Sequence, residues 1–130
     1  MIDGIEPFYQ QIADSIRESI NASWETATIE VIFFPQSSEY VGEWFSSGTA
    51  RPTGFGVDLK AMRAFRGLRE LFRKSGNRLW CRAVFEMRSA GQFKMNWGYD
   101  DCDENGFARF DEQKQAERLR QIRMRQGQSS

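Results

Sequence analysis

Apolar residues at Ile5, Phe8, Ile12, Ile16 and Ile20 recur every three or four positions, while Asp14 and Glu18 fall on the opposite side. That spacing predicts an amphipathic helix with one buried stripe. The next run, WETATIEVIFFP, is β-branched and aromatic and stops at Pro35; after the polar turn QSS comes a second such run, EYVGEWFSS. Two strands joined as a hairpin are expected. GTARPTGFG reads as a loop, and Asp58 stands where the next helix needs a cap. In DLKAMRAFRGLRELFRK, Ala61, Phe65, Leu68 and Phe72 share a face, Arg63, Arg66, Arg73 and Lys74 turn away from it, and Gly76 is placed to end the helix. RLWCRAVFEMR and QFKMNWGYD form two strands around SAG; Phe93, Met95, Trp97 and Tyr99 alternate with Gln92, Lys94, Asn96 and Gly98, so one face is apolar. FDEQKQAERLRQIRMRQ has helical character but little apolar surface. No internal repeat or low-complexity segment interrupts this order.

The predicted fold is α+β, in the order α-β-β-α-β-β-α, with a four-stranded antiparallel sheet and helices mainly on one face. At 130 residues the chain is expected to be a single domain over 1–126, with a short flexible tail over 127–130.

Charge alters this picture more than composition does. The formal net charge is zero, yet residues 1–50 hold eight acids and one base, and residues 51–98 hold eleven bases and three acids. Four acids follow within 99–108, and six bases against three acids within 109–130. Two opposite electrostatic surfaces are therefore possible. Arg63, Arg66, Arg69, Arg73 and Lys74, with Arg118, Arg120, Arg123 and Arg125, form a basic stripe of the kind a nucleic-acid binder uses. Overall neutrality, the acids of the first half and the lack of an aromatic-basic RNA motif argue against direct nucleic-acid binding; a solvated face paired with those acids explains the arginines as well.

The chain has no histidine, and its two cysteines, Cys81 and Cys102, are not in a CxxC pair. Zinc sites, Cys/His or Ser/His catalysis and a disulfide framework are poorly supported, and Cys81 reads most simply as a buried thiol. No phosphate-binding glycine loop or spaced catalytic constellation is present, so a non-enzymatic protein without a cofactor is expected. The N-terminus opens with Asp3 and Glu6 rather than a basic and then an apolar stretch, and no apolar run approaches the roughly 20 residues of a membrane span. A cytoplasmic location, without a membrane partner, is the expectation.

DCDENGFARFDE, residues 101–112, has the residue order of a calcium loop: Asp101, Asp103, Asn105, Gly106 and, at position 12, Glu112. Context weighs against it. A strand rather than a helix leads into the loop, position 9 is the cation Arg109, and there is no partner loop. The alternative is a strand ending in an Asx-rich turn, with Asp111 or its neighbour capping the last helix. A calcium site built from Asp101, Asp103, Asn105 and Glu112 stays open beside it.

FYQQIADSIRESINASWETATIEV and WCRAVFEMRSAGQFKMNWGYDD together resemble the YezG-like immunity proteins, in element order over most of residues 8–101 and most specifically in SAGQFKMNWGYDD. Residues 109–130 depart from that pattern, being basic and poor in aromatics. The resemblance implies a small cytoplasmic bacterial antitoxin that binds the C-terminal domain of a cognate secreted toxin, commonly a nuclease. Nucleases hold phosphates with Lys and Arg, so an inhibitor presenting Asp100, Asp101, Asp103 and Glu104 beside Tyr99 could occupy such a cleft. Glu39 and Glu43, with Tyr40 and Trp44, would extend that toxin-binding surface; the charges speed encounter and the aromatics anchor it. For Trp44 and Trp97 a place in the core is the competing expectation.

Overall fold

The computed structural model describes residues 3–127, so of the tail expected over 127–130 only Gly127 falls within it. The first helix, α1, spans Glu6–Ser19, with Pro7 in its first turn and Ile12, Ala13, Ser15 and Ile16 buried. Strands β1 (Thr26–Phe33) and β2 (Ser38–Phe45) form the expected hairpin, in register from Thr26 opposite Phe45 to Phe33 opposite Ser38. Helix α2 (Leu59–Lys74) begins at Asp58, whose side chain accepts the Ala61 N–H, and Gly76 at φ 71° follows its end. Strands β4 (Arg82–Arg88) and β5 (Phe93–Gly98) make the second hairpin, and α3 spans Glu112–Arg125.

The sheet has five strands rather than four, because Thr53–Phe55, expected as loop, forms a short strand β3 against β2. Glycine and proline flank this stretch and conceal it, but the glycines are what allow it. A Cβ at Gly42 would lie 2.8 Å from the Phe55 ring, which occupies that space instead. The strand order is β3-β2-β1-β4-β5, with every pairing antiparallel.

Alternation along the strands separates two faces. Ala27, Ile29, Val31 and Phe33 of β1, with Phe85 and Met87 of β4, are buried with Ile12 and Ile16 of α1 and Phe65, Leu68 and Phe72 of α2 in one core. Trp80 joins it, with Trp97 and Phe72 packed alongside in tilted and edge-on contacts at centroid distances of 4.8 to 6.0 Å. The opposite face carries Glu30, Ile32, Glu39 and Glu43, and α3 lies there through hydrogen bonds to those acids. The helices therefore divide two to one between the faces, mainly on one side as expected, with α3 alone on the other. A helix with a single buried residue, Ile122, has no apolar stripe to add to the main core, but it carries arginines that match an acidic sheet face.

Candidate functional site

Between β5 and α3 the chain makes a fixed loop whose parts come from distant points of the sequence. Asp103 Oδ1 accepts the N–H groups of Asn105 and Phe107, each at 2.9 Å, and Asp103 and Phe107 also pair through the backbone. This is an Asx turn, the reading the acid-rich sequence allowed. Ala108 N–H donates to the Phe33 carbonyl at 2.7 Å, tying the loop to the end of β1. Arg69 of α2 lies between the rings of Phe33 and Phe107, at 5.1 and 4.3 Å, and donates to the carbonyls of Asn105 and Gly106. Burial lowers the guanidinium's pKa, and the Asp103 carboxylate opposes that shift. Arg69 is thus a clamp on the loop rather than part of a solvated basic face.

Cys81 and Cys102 are bridged, which corrects the expectation of a buried thiol and no disulfide. Although 21 residues separate them, Arg82 and Gly98 stand opposite each other in the β4–β5 register, so the strand start and the loop converge with their Cα atoms 5.6 Å apart. Closing a loop of that size constrains the unfolded chain by about 3 kcal/mol.

On this scaffold Asp100, Asp101 and Glu104 are exposed, whereas Asp103 is half-buried and committed to the turn. Asp101 takes φ 62°, a left-handed conformation that Asp tolerates better than most residues. Tyr99 is half-buried beneath the Arg78 guanidinium, which sits 4.8 Å from its ring centre. Asp111 accepts the N–H groups of Gln113 and Lys114 as the cap of α3, and Glu112 is an exposed residue of the first turn. Among the described residues no three His, Cys, Asp or Glu side chains converge as a metal site requires. Of the calcium pattern, Asp101, Asp103 and Asn105 lie in the loop and Glu112 in α3, and the three acids form no such group.

The residues of β2 are divided between the two faces. Tyr40 and Trp44 pack against the main core, Tyr40 lying 6.2 Å from Phe65 by ring centroids. Glu39 and Glu43 face the other way and are covered by α3. Arg118 donates to Glu39 at 3.0 Å and to Glu30 at 2.8 Å, while Arg125 grips Glu43 through two bonds of 2.9 Å. Glu43 is only 6% exposed. Those bonds raise the Arg125 pKa, against the effect of burial. Glu39 and Glu43 are thus engaged with α3, while Tyr40 and Trp44 lie on the other face of the sheet. Arg118 and Arg125 lie seven residues apart, two helical turns on one face, and that spacing was the signal in the sequence for their role. Elsewhere in the basic stripe Arg73 pairs with Glu70 and Arg120 with Glu117.

No curated protein matches the chain. A family model described as Immunity protein YezG-like matches residues 57–118, from the approach to α2 through the second hairpin and the clamped acidic loop to Arg118, and over that stretch the chain is similar to this family.

Proposed function

We propose that this protein is an immunity protein that neutralises a cognate toxin domain by forming a direct complex with it, acting by binding and not by catalysis. The observation that carries the reading is the family match over residues 57–118, which includes the whole acidic loop. The physical form of the loop supports it. Three carboxylates, Asp100, Asp101 and Glu104, are held outward on backbone fixed by the Arg69 clamp, the Asx turn and the Cys81–Cys102 bridge. Preorganisation of this kind limits the ordering cost of association, and a compact negative charge favours a basic partner surface. A nuclease substrate cleft, lined by phosphate-binding Lys and Arg, is such a surface and the finer assignment we favour. The place of action is taken to be the cytoplasm; among the described residues no helix is long and apolar enough to cross a membrane.

Co-expression with the C-terminal domain encoded by an adjoining toxin gene tests the reading. Protection of the cell and a one-to-one complex on gel filtration are expected; an unprotected cell and no complex would sink it. Within a complex, replacing Asp100 and Asp101 with Asn and Glu104 with Gln should slow association by about tenfold at low salt, with the melting temperature unchanged. Glu112→Gln should alter neither binding nor stability, with or without calcium.

A further inference from the structure

On the α3 side of the sheet, next to the acidic loop, a cleft of about 370 Å³ opens between the start of α3 and the adjoining ends of β1 and β4. Ile32 and Phe34 lie buried beneath it, and Phe110, 60% exposed, packs edge-on against Phe34 at 5.5 Å. Its charged lining is mostly cationic: Arg82 from β4, Arg109 from the loop, and Lys114 and Arg118 from α3. Arg118 is already neutralised by Glu30 and Glu39. Among the described residues the side chains of the other three have no hydrogen-bond or ion-pair partner. Two acids also line the cleft, Asp101 and Asp111, and Asp111 is occupied in capping α3.

Arg82 owes its place to the strand register. It stands opposite Gly98, where a Cβ would lie 2.9 Å from the Arg82 Cβ, so the glycine leaves the space this side chain fills. Beyond Phe34 and Phe110 a second hollow of about 340 Å³ continues along Pro35, Gln36 and Ser37. Uncompensated positive charge thus adjoins an apolar ledge, with the two aromatic rings common to both.

The geometry points to this cleft as the seat of an acidic chain segment of the partner, one in which carboxylate side chains alternate with apolar ones. The carboxylates meet Arg82, Arg109 and Lys114 while a neighbouring apolar side chain rests on Phe34 and Phe110. A peptide carboxylate suits the site better than a phosphate dianion because Asp101 lies in the same lining, where a second negative charge is repelled. This inference rests on the immunity reading only in assigning the segment to a toxin. It makes the footprint bipolar: the protein offers carboxylates on its loop and accepts them beside it, which discriminates against partners of a single charge sign.

The free full-length chain can be titrated with acetyl-Glu-Phe-Glu-Leu-amide, with its Lys-Phe-Lys-Leu counterpart, and with pyrophosphate, while backbone amide shifts are followed by NMR. The acidic peptide should move the amides of residue 82 and residues 109–114, and the basic one should not. Arg109→Gln with Lys114→Gln, both at exposed positions, should raise the peptide Kd by about tenfold without changing the rest of the spectrum. Arg82→Gln should act in the same direction. The inference is overturned if the acidic peptide leaves those amides unmoved, or if pyrophosphate moves them and the peptide does not. The toxin domain then separates the two readings. A wild-type chain that takes the peptide but no toxin keeps the cleft and loses the immunity function. A double variant that binds toxin as tightly as wild type removes the cleft from the interface.

Discussion

At Asp58 one carboxylate serves two helices. Its Oδ1 accepts the Ala61 N–H at 3.0 Å, capping α2, and the Ser15 hydroxyl at 2.6 Å, satisfying a buried polar group of α1. Burial works against its ionisation, but the hydrogen bonds from Ser15 and Ala61 and the nearby charge of Lys60 outweigh it and leave the pKa below its usual value. A depressed carboxylate pKa stabilises the fold at pH values above the unfolded-state pKa, and that contribution is lost as pH falls through the folded-state value. Asp58→Ala should therefore cost about 1–2 kcal/mol at pH 7 in urea titrations. The gap between wild type and variant should narrow once pH drops below about 4. A gap that stayed constant with pH would show that the charge on Asp58 contributes nothing. This residue was legible beforehand, as were Gly76 and Asp111, because a cap is decided by neighbours three or four positions away. Arg69 was not. Its partners Phe33 and Phe107 lie 36 and 38 positions away, and in a run of arginines nothing local marks the one that turns inward.

At the scale of elements, α3 is fastened mainly by charge. With Ile122 alone buried, it relies on the Arg118 fork to Glu30 and Glu39 and the Arg125 pair with Glu43. The Arg118 group is half-buried, so its worth lies between that of exposed and fully buried pairs. Arg118→Ala should cost about 1–2 kcal/mol, chiefly by leaving two carboxylates unanswered on adjacent strands. In a background of Glu30→Gln and Glu39→Gln the same substitution should cost a small fraction of that, a comparison a double-mutant cycle makes directly. Equal losses in both backgrounds would mean that Arg118 acts by packing alone. The helix itself was legible from its pattern, but its side of the sheet was not, because periodicity assigns a face only to an apolar stripe. The converse holds for β3, where the pairing exists but three residues around a glycine are too short to alternate visibly.

Over the whole molecule, the zero net charge proves to be partly internal. Acids of the first fifty residues, Glu30, Glu39 and Glu43, meet arginines of the last thirteen across the sheet. The acidic loop and the cationic cleft, side by side near the end of β1, hold charge that this pairing leaves unanswered. The strand order carries a further consequence, in time rather than in space. β1·β2 and β4·β5 are hairpins that can form locally, but β1·β4, which joins them, pairs Ile29 with Phe85 across roughly fifty residues of intervening chain. Bringing those two strands together is the costly entropic step, so the barrier to folding should lie there, with α1 and α2 condensing on the joined sheet. In stopped-flow experiments Ile29→Val should slow refolding, whereas Ile122→Ala should leave the refolding rate nearly unchanged and appear as faster unfolding. Of the three helices, α3 would then be the last to dock, arriving on a sheet already complete.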